Sequence, residues 1–491
     1  MTNFIPSVRA YLIFTALLIV NEFLSFVSYQ TPWLNQSVFM LLILLTFIMT
    51  WRKLEHGILI VLAELFVGGK GYLYSLTLGH ARLSIRIVLF VTVMLVWLLR
   101  RSYRQGSWPG IVLAVRKWIL LIGLAVGWGV VAGLMAGHGW AAVFFDANAY
   151  LYFAFIFVLA SPSLNWRQLG PRLIALIAAA ATVLGLKSLV SLTLFVKLQI
   201  AGLTTFYRWI RETGVGEVAP IFGGTYRVFF QSQVYGLLGL SVIVPWLFPP
   251  NRVAKSTAWL FIPITLGLAA VLVSLSRSFW LGGGVGLLAA LIIGIVRYRW
   301  RLPELAKVAV VSLGVFAMAY TLTSWALNFP YPFPLPGRPT GTNILNQRIA
   351  TIGGEAAAKS RAELFRALLP VIKRRPWFGY GFGKTVTYQS SDPRQLQSAS
   401  GGVYTTYAFE LGYFDMAIKF GFIGLISLMG FLVVLAARLW RKEGALAFGF
   451  LVGTITLSVI HLTTPYINHP LGIGFLLLAA TLGLVQTLEK A

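Results

Sequence analysis

The sequence predicts an all-α polytopic membrane protein, with about 12–14 transmembrane helices and one large outward loop containing amphipathic helices. Three observations carry this reading. Apolar runs near the length of a bilayer-crossing helix recur from end to end of the 491 residues, and the mean hydropathy is +0.80. Charged residues make up 11% of the chain and hydrophobic ones 58%, whereas a soluble domain carries about 25% charged residues. Finally, basic loops alternate with loops that have no Lys or Arg. Together these features exclude a soluble enzyme, and they turn the net charge of +26 into a statement about topology before one about nucleic acid.

Fourteen segments qualify as spans: 10–27, 36–50, 57–77, 84–99, 117–136, 147–161, 173–196, 228–247, 258–275, 279–296, 308–327, 408–437, 445–462 and 471–487. The third holds Glu64, Lys70 and Gly68–Gly69, and is expected to be broken, with Glu64 paired to Lys70. The first follows MTNFIPSVRA without a small-residue cleavage site, so it reads as a retained span. The organisation expected is a bundle over 1–327 (about 11 spans), a loop subdomain over 328–407, and C-terminal spans over 408–491 (about 3 spans).

Orientation follows from short loops. The clusters Arg100/Arg101/Arg104/Arg116/Lys117, Arg297/Arg299/Arg301/Lys307 and Arg438/Arg441/Lys442 fall on one side with both termini, whereas loops 28–35, 137–146 and 463–470 have no Lys or Arg. The positive-inside rule then places both termini in the cytoplasm. Half of the 40 basic residues do not fit this simple picture. They gather in 197–227, at Arg277, and in the loop 328–407, which carries Arg338, Arg348, Lys359, Arg361, Arg366, Lys373, Arg374, Arg375, Lys384 and Arg394 against Glu355, Glu363 and Asp392. Long loops translocate regardless of charge, but this arrangement also makes an outward basic funnel for an anionic ligand.

The loop opens with the proline run FPYPFPLPGRP, which predicts an extended strap. SRAELFRALLPVIKR follows, with Leu364, Phe365, Leu368, Leu369 and Ile372 at helical spacing, so a basic amphipathic helix is expected, kinked at Pro370. In PWFGYGFG, Gly379, Gly381 and Gly383 permit a tight turn.

Motifs of soluble enzymes, such as Walker, HExxH or GxSxG, are absent, as are cysteines and DxD-type acidic pairs. Arg227, in TYRVFFQSQVYGLLGL, and Arg277, in SLSRSFWLGG, are expected at the outward ends of neighbouring spans. A lone arginine near the membrane centre costs roughly 2.5–3.5 kcal/mol on insertion scales, and its planar fork of donors matches phosphate oxygens. Arg208 and Arg211 are available to join the cluster. For a general base the candidate is Glu410, in YAFELGYFDMAIKFGFIGL, with Asp415 as competitor. A carboxylate withdrawn from water at the loop's return to the membrane has a raised pKa and can take a proton from a sugar hydroxyl. His469 is a weaker candidate among five scattered histidines.

These residues resemble the O-antigen ligase/polymerase family of bacterial envelope glycan transferases. The likeness covers roughly 220–430 and rests on four segments: YRVFFQSQVYGLLGL, SLSRSFWLGGGVG, SRAELFRALLPVIKRRPWFGYGFG and KFGFIGLI. It implies a metal-independent, inverting glycosyltransferase of the GT-C type in the bacterial inner (plasma) membrane, with no cofactor. Its implied partners are an undecaprenyl-pyrophosphate-linked glycan donor, a glycan or glycolipid acceptor and membrane lipids, with no nucleic acid. The loop then becomes periplasmic. The resemblance gives Arg227 and Arg277 the pyrophosphate; on the residues themselves, Arg208, Arg211, Arg361, Arg366 and Asp415 are the supporting candidates. Family ligases carry a catalytic His eleven residues before the first Gly of the post-loop segment; counting back from Gly421 gives Glu410 here, and Lys419 stands where an acid is often seen. That departure favours a polysaccharide polymerase with Glu410 as base. A ligase acting on a lipid A-core or protein acceptor is the alternative within the class. A transporter or flippase of lipid-linked glycan is the alternative outside it, though the inverted repeats it would favour are not evident.

Overall fold

The computed structural model describes residues 7–79, 81–102, 110–221, 225–248, 255–329, 356–391, 393–396 and 401–482. The proline run and Arg338 and Arg348 lie outside them. The helices are α1 (Val8–Tyr29), α2 (Pro32–Arg52), α3 (Leu54–Val67), α4 (Ile85–Ser102), α5 (Gly110–Met135), α6 (Trp140–Ala147), α7 (Phe155–Leu159), α8 (Trp166–Gly202), α9 (Thr204–Glu212), α10 (Val234–Ile243), α11 (Phe261–Ser274), α12 (Arg277–Val296), α13 (Leu302–Asn328), α14 (Ala356–Arg374), α15 (Gly412–Arg441), α16 (Ala445–His461) and α17 (Pro470–Thr481). Three antiparallel hairpins accompany them: β1 (Ser75–Leu78) with β2 (Ala81–Ser84), β3 (Gly216–Pro220) with β4 (Tyr226–Phe230), and β5 (Val386–Gln389) with β6 (Val403–Thr406). The chain is thus an all-α polytopic membrane protein. Eight helical segments are long and apolar enough to cross a bilayer, and three shorter apolar helices join them among the described residues.

Burial sorts the helices by sequence. α8 is buried without interruption from Leu173 to Leu184 and packs against α1, α3, α10 and α11, so it forms the centre of the bundle. α16 and α17 are apolar on every face and almost wholly buried, as such helices must be. α1, α2 and α13 show large apolar side chains outward, Leu12, Leu44 and Leu313 among them, which in a bilayer face lipid.

Three expected spans differ from the helices found; one of them, 147–161, opens as a 3-10 helix over Asn148–Ala154 and is α-helix only over Phe155–Leu159. The third span along the chain ends at Val67; Gly69 (φ +61°) and Gly71 (φ +92°) turn the chain into β1. Glu64 pairs not with Lys70 but with Arg86, through Nε at 2.8 Å and Nη2 at 3.0 Å, and Arg86 Nη1 donates to Gly69 O at 2.7 Å. The break is therefore held by an arginine from the next helix, which also satisfies a carbonyl the helix gave up. The segment 228–247 begins as strand β4, and only Val234–Ile243 is α-helix.

The described part of the loop forms a cap over α15. Leu364, Leu368 and Ile372 of α14 pack with Val386, Phe409, Ala417 and Ile418 in a core separate from the main one. α14 continues through Pro370 to Arg374.

Candidate active site

Arg227 reaches the junction of α11 and α12 that Arg277 opens, though not as expected. Arg227 lies on a hairpin, not at a helix start. Alternation on β4 buries Tyr226, Val228 and Phe230, which leaves Arg227 and Phe229 on the other face. Arg227 Nε donates to Ser274 O at 3.0 Å, at the C-terminal end of α11 where helix carbonyls lack partners. Its guanidinium sits 4.9 Å from the Phe229 ring centre, and Phe229 lies 5.8 Å from Phe279 in the first turn of α12. Gln233 secures the hairpin: its Oε1 accepts from Phe230 N at 3.0 Å, and its Nε2 donates to Ser188 Oγ at 2.8 Å.

Arg277 is the first residue of α12, three residues past the carbonyl that Arg227 holds. Between the helices, Leu275 adopts a left-handed conformation (φ +48°), a strain that a non-glycine residue bears only where its surroundings impose it. Ser276, the N-cap, and Ser278 bond to each other at 2.9 Å. A cation on the first turn opposes the helix dipole, whereas an anion there is favoured. The start of α12 thus combines backbone N–H groups, an arginine and two hydroxyls, a combination suited to phosphate oxygens.

The loop 463–470, without Lys or Arg, ties this junction to the start of α15. Thr464 donates to Ser278 Oγ (2.9 Å), Tyr466 to Gln231 O (2.8 Å) and Asn468 Nδ2 to Asp415 Oδ2 (2.8 Å). Burial raises the pKa of the Tyr466 hydroxyl, so it stays a donor. His469 caps α17, its Nδ1 accepting from Leu471 N; burial foremost, then the charges of Arg86 and Lys70, push it down to about 3, so it stays neutral.

Asp415 is 1% exposed. It takes Lys419 at 2.7 Å, Asn468, and the Phe409 N–H at 3.2 Å. Lys419 also pairs with Asp146 of α6, which accepts from Gly383 N at 2.9 Å. This buried carboxylate–ammonium–carboxylate row engages both oxygens of Asp415. Sequence reading missed Asp146 and the row; an acid and a lysine inside apolar runs were the available signal.

Glu410, expected to be withdrawn from water, is instead 61% exposed, and Arg361 Nε binds its Oε2 at 2.9 Å. Nearby Tyr388 is held protonated chiefly by burial. Arg366 lies exposed on α14. Arg208 and Arg211 lie exposed on α9, where Arg211 donates to Tyr207 at 3.3 Å.

The turn PWFGYGFG, expected as a tight turn, is wedged between α5 and α15. α15 breaks at Gly421 (φ +67°). Tyr380 N and Gly381 N donate to Ile418 O and Lys419 O at 2.7 and 3.0 Å, and Phe422 N donates to Pro376 O at 2.7 Å. The turn replaces the hydrogen bonds the broken helix lost, which is how irregular backbone survives at membrane depth. Among the described residues, no group of three or more His, Asp or Glu could hold a metal ion.

Residues 262–429 match the family model Wzy_C, described as O-antigen ligase. That segment is similar to the O-antigen ligase family. No curated protein matches the chain. The matched segment includes Arg277, the cap, Glu410, Asp415 and Lys419; Arg227 and Asp146 come from the N-terminal part. The match supports a membrane glycosyltransferase of the O-antigen ligase/polymerase type acting on lipid-linked glycan.

Proposed function

We propose that the protein transfers a glycan from undecaprenyl pyrophosphate to an acceptor sugar hydroxyl at the periplasmic face, and that its product is a lengthening polysaccharide. One observation carries this reading: Arg227 and the α12 start bearing Arg277 share a junction that the 463–470 loop joins to Asp415, in the first turn of α15 just past Glu410. The pyrophosphate lies against that junction. Its departure needs no metal when arginines and helix N–H groups already match the developing charge. Arg361 holds one oxygen of Glu410, and the other takes the proton of the attacking hydroxyl. A single in-line displacement inverts the anomeric carbon. The organisation is a bundle over 1–327, a periplasmic cap over 328–407 and C-terminal spans over 408–491. Both termini are cytoplasmic in an inner membrane, a placement supported by the basic clusters at the opposite end.

The test uses purified protein, a defined undecaprenyl-pyrophosphate glycan and products resolved by size. A ladder of prenyl-linked products is the expected result. Capping of an added lipid or protein acceptor without a ladder would mean ligation, the reading favoured by the description of the matched family. Absence of any transfer would refute both.

A further inference from the structure

The far end of the cap, where α14 runs into the glycine turn, carries charge that the proposed site does not use. Lys373 and Arg374 close α14 and Arg375 follows, all three exposed. Among the described residues no carboxylate pairs with them or with Lys384. The acids of the cap and of the start of α15 are engaged elsewhere: Glu363 by Ser391, Glu410 by Arg361 and Asp415 by Lys419.

Exposed aromatic side chains follow at once. Trp377 and Phe378 are 60% and 56% exposed. The backbone that carries them is nevertheless fixed: the indole N–H of Trp128 on α5 donates to Phe378 O at 2.9 Å, and Ile423 N of α15 donates to Trp377 O at 3.3 Å. Tyr380 comes next, with two cations against its ring. The Arg375 guanidinium lies 5.0 Å from the ring centre and the Lys384 ammonium 5.1 Å. The ring thus gathers two charges within reach of one phosphate group.

The turn docks at Gly421, where α15 breaks. From there to its end at Arg441, α15 has about 20 residues, enough for one bilayer crossing. The turn therefore lies at the edge of the hydrocarbon. Beyond it, Leu124 of α5 and Ile423 and Ile426 of α15 are exposed, and in a bilayer they face lipid. From outside inward the surface offers cations, then aromatic rings, then aliphatic side chains. That is the order of a phospholipid's phosphate, glycerol and acyl chains.

We propose that Arg375, Lys384 and Tyr380 hold the headgroup of an anionic phospholipid from the leaflet on the cap's side, with Trp377 and Phe378 beside its glycerol and its acyl chains along α5 and α15. The bound lipid pegs the cap. Arg375 N donates to Ile372 O of α14 at 3.2 Å, and Phe422 N, past the break in α15, donates to Pro376 O at 2.7 Å, so a headgroup held at Arg375 fixes where the cap sits on the bundle. The assignment does not depend on the transfer reaction.

The test uses full-length protein in phosphatidylcholine nanodiscs and a photoactivatable phosphatidylglycerol, with the labelled peptides identified by mass spectrometry. Label should fall on 373–384. Unlabelled phosphatidylglycerol should displace it, whereas equal amounts of phosphatidylcholine or of a prenyl pyrophosphate should not. The Arg375→Gln/Lys384→Gln double variant should need roughly tenfold more phosphatidylglycerol for half-labelling, and Arg375→Gln alone, at an exposed side chain, should fall between it and wild type. Lys307→Gln, which removes an exposed cation on α13, is the control and should change less than about twofold. Displacement by phosphatidylcholine marks an unselective bilayer contact, and displacement by prenyl pyrophosphate ahead of phosphatidylglycerol marks a donor site; either overturns the proposal, as does unchanged labelling of the double variant. Adding phosphatidylglycerol should also raise the unfolding temperature of wild type and leave that of the double variant where it was. An equal rise in both would show that the lipid does not act through these cations.

Discussion

At the scale of single residues, Arg277 and Glu410 carry the proposed chemistry and Lys419 carries the architecture. Removing one preorganised donor from a developing anion costs about 10²–10³-fold in rate. Arg277→Ala should therefore lower turnover by at least that factor while the protein remains in the membrane, and Glu410→Gln should do likewise. Near-normal turnover of either variant in the purified assay would remove its residue from the mechanism. Arg361→Ala should separate structure from function. An exposed ion pair contributes about 0–1 kcal/mol to stability, so the melting temperature should hardly move, whereas turnover should fall as Glu410 loses its orienting partner. Lys419 should behave in the opposite way. Removing the ammonium from between Asp146 and Asp415 leaves two buried carboxylates facing each other, and breaking a buried pair costs about 3–5 kcal/mol. Lys419→Met should lower the unfolding temperature in detergent markedly; a variant as stable as wild type would show that the row is not structural. The arginines were legible as residue types in apolar surroundings; the exposure of Glu410 and its pairing with Arg361 were not, because the partner comes from the cap helix. The partner of Glu64 was not, because Arg86 lies 22 residues away in sequence and only the turn at Gly68–Gly71 brings it round.

At the scale of elements, the informative pieces are the two that broke pattern. The hydropathy of 228–247 describes burial, and a buried strand and a buried helix look alike to it. The alternation in YRVFF, now seen on β4, was the signal that separated them. The glycine turn is the second case. Its three positive-φ glycines were readable as a turn, but its docking against the break at Gly421 was not, since the matching donors and acceptors lie about 40 residues apart. Gly381 makes this testable. A side chain there would need φ +83° and would place its Cβ 2.1 Å from Gly133 N. Gly381→Ala should therefore unseat the wedge from α5, with loss of folded protein on size-exclusion chromatography, whereas Gly314→Ala, in open space on α13, should be tolerated.

At the scale of the whole molecule, the proposed orientation rests on the distribution of charge. The chain has no cysteine, so single-cysteine variants report topology directly. Lys359→Cys on the cap should react with an impermeant maleimide in intact cells, and Lys442→Cys after α15 only once the membrane is opened. The reverse pattern would invert the protein and end the periplasmic reading. Composition and span periodicity by themselves determined that this is a helical membrane protein with a basic amphipathic loop helix, because burial in lipid demands long apolar runs wherever they fold. Tertiary structure alone decided which charges meet: Arg227 with the end of α11, Arg86 with Glu64, Asp146 with Lys419. The reason is physical. Hydropathy is a sum over neighbours in sequence, whereas an ion pair depends on a distance in space, which is set only when helices break, turn and pack.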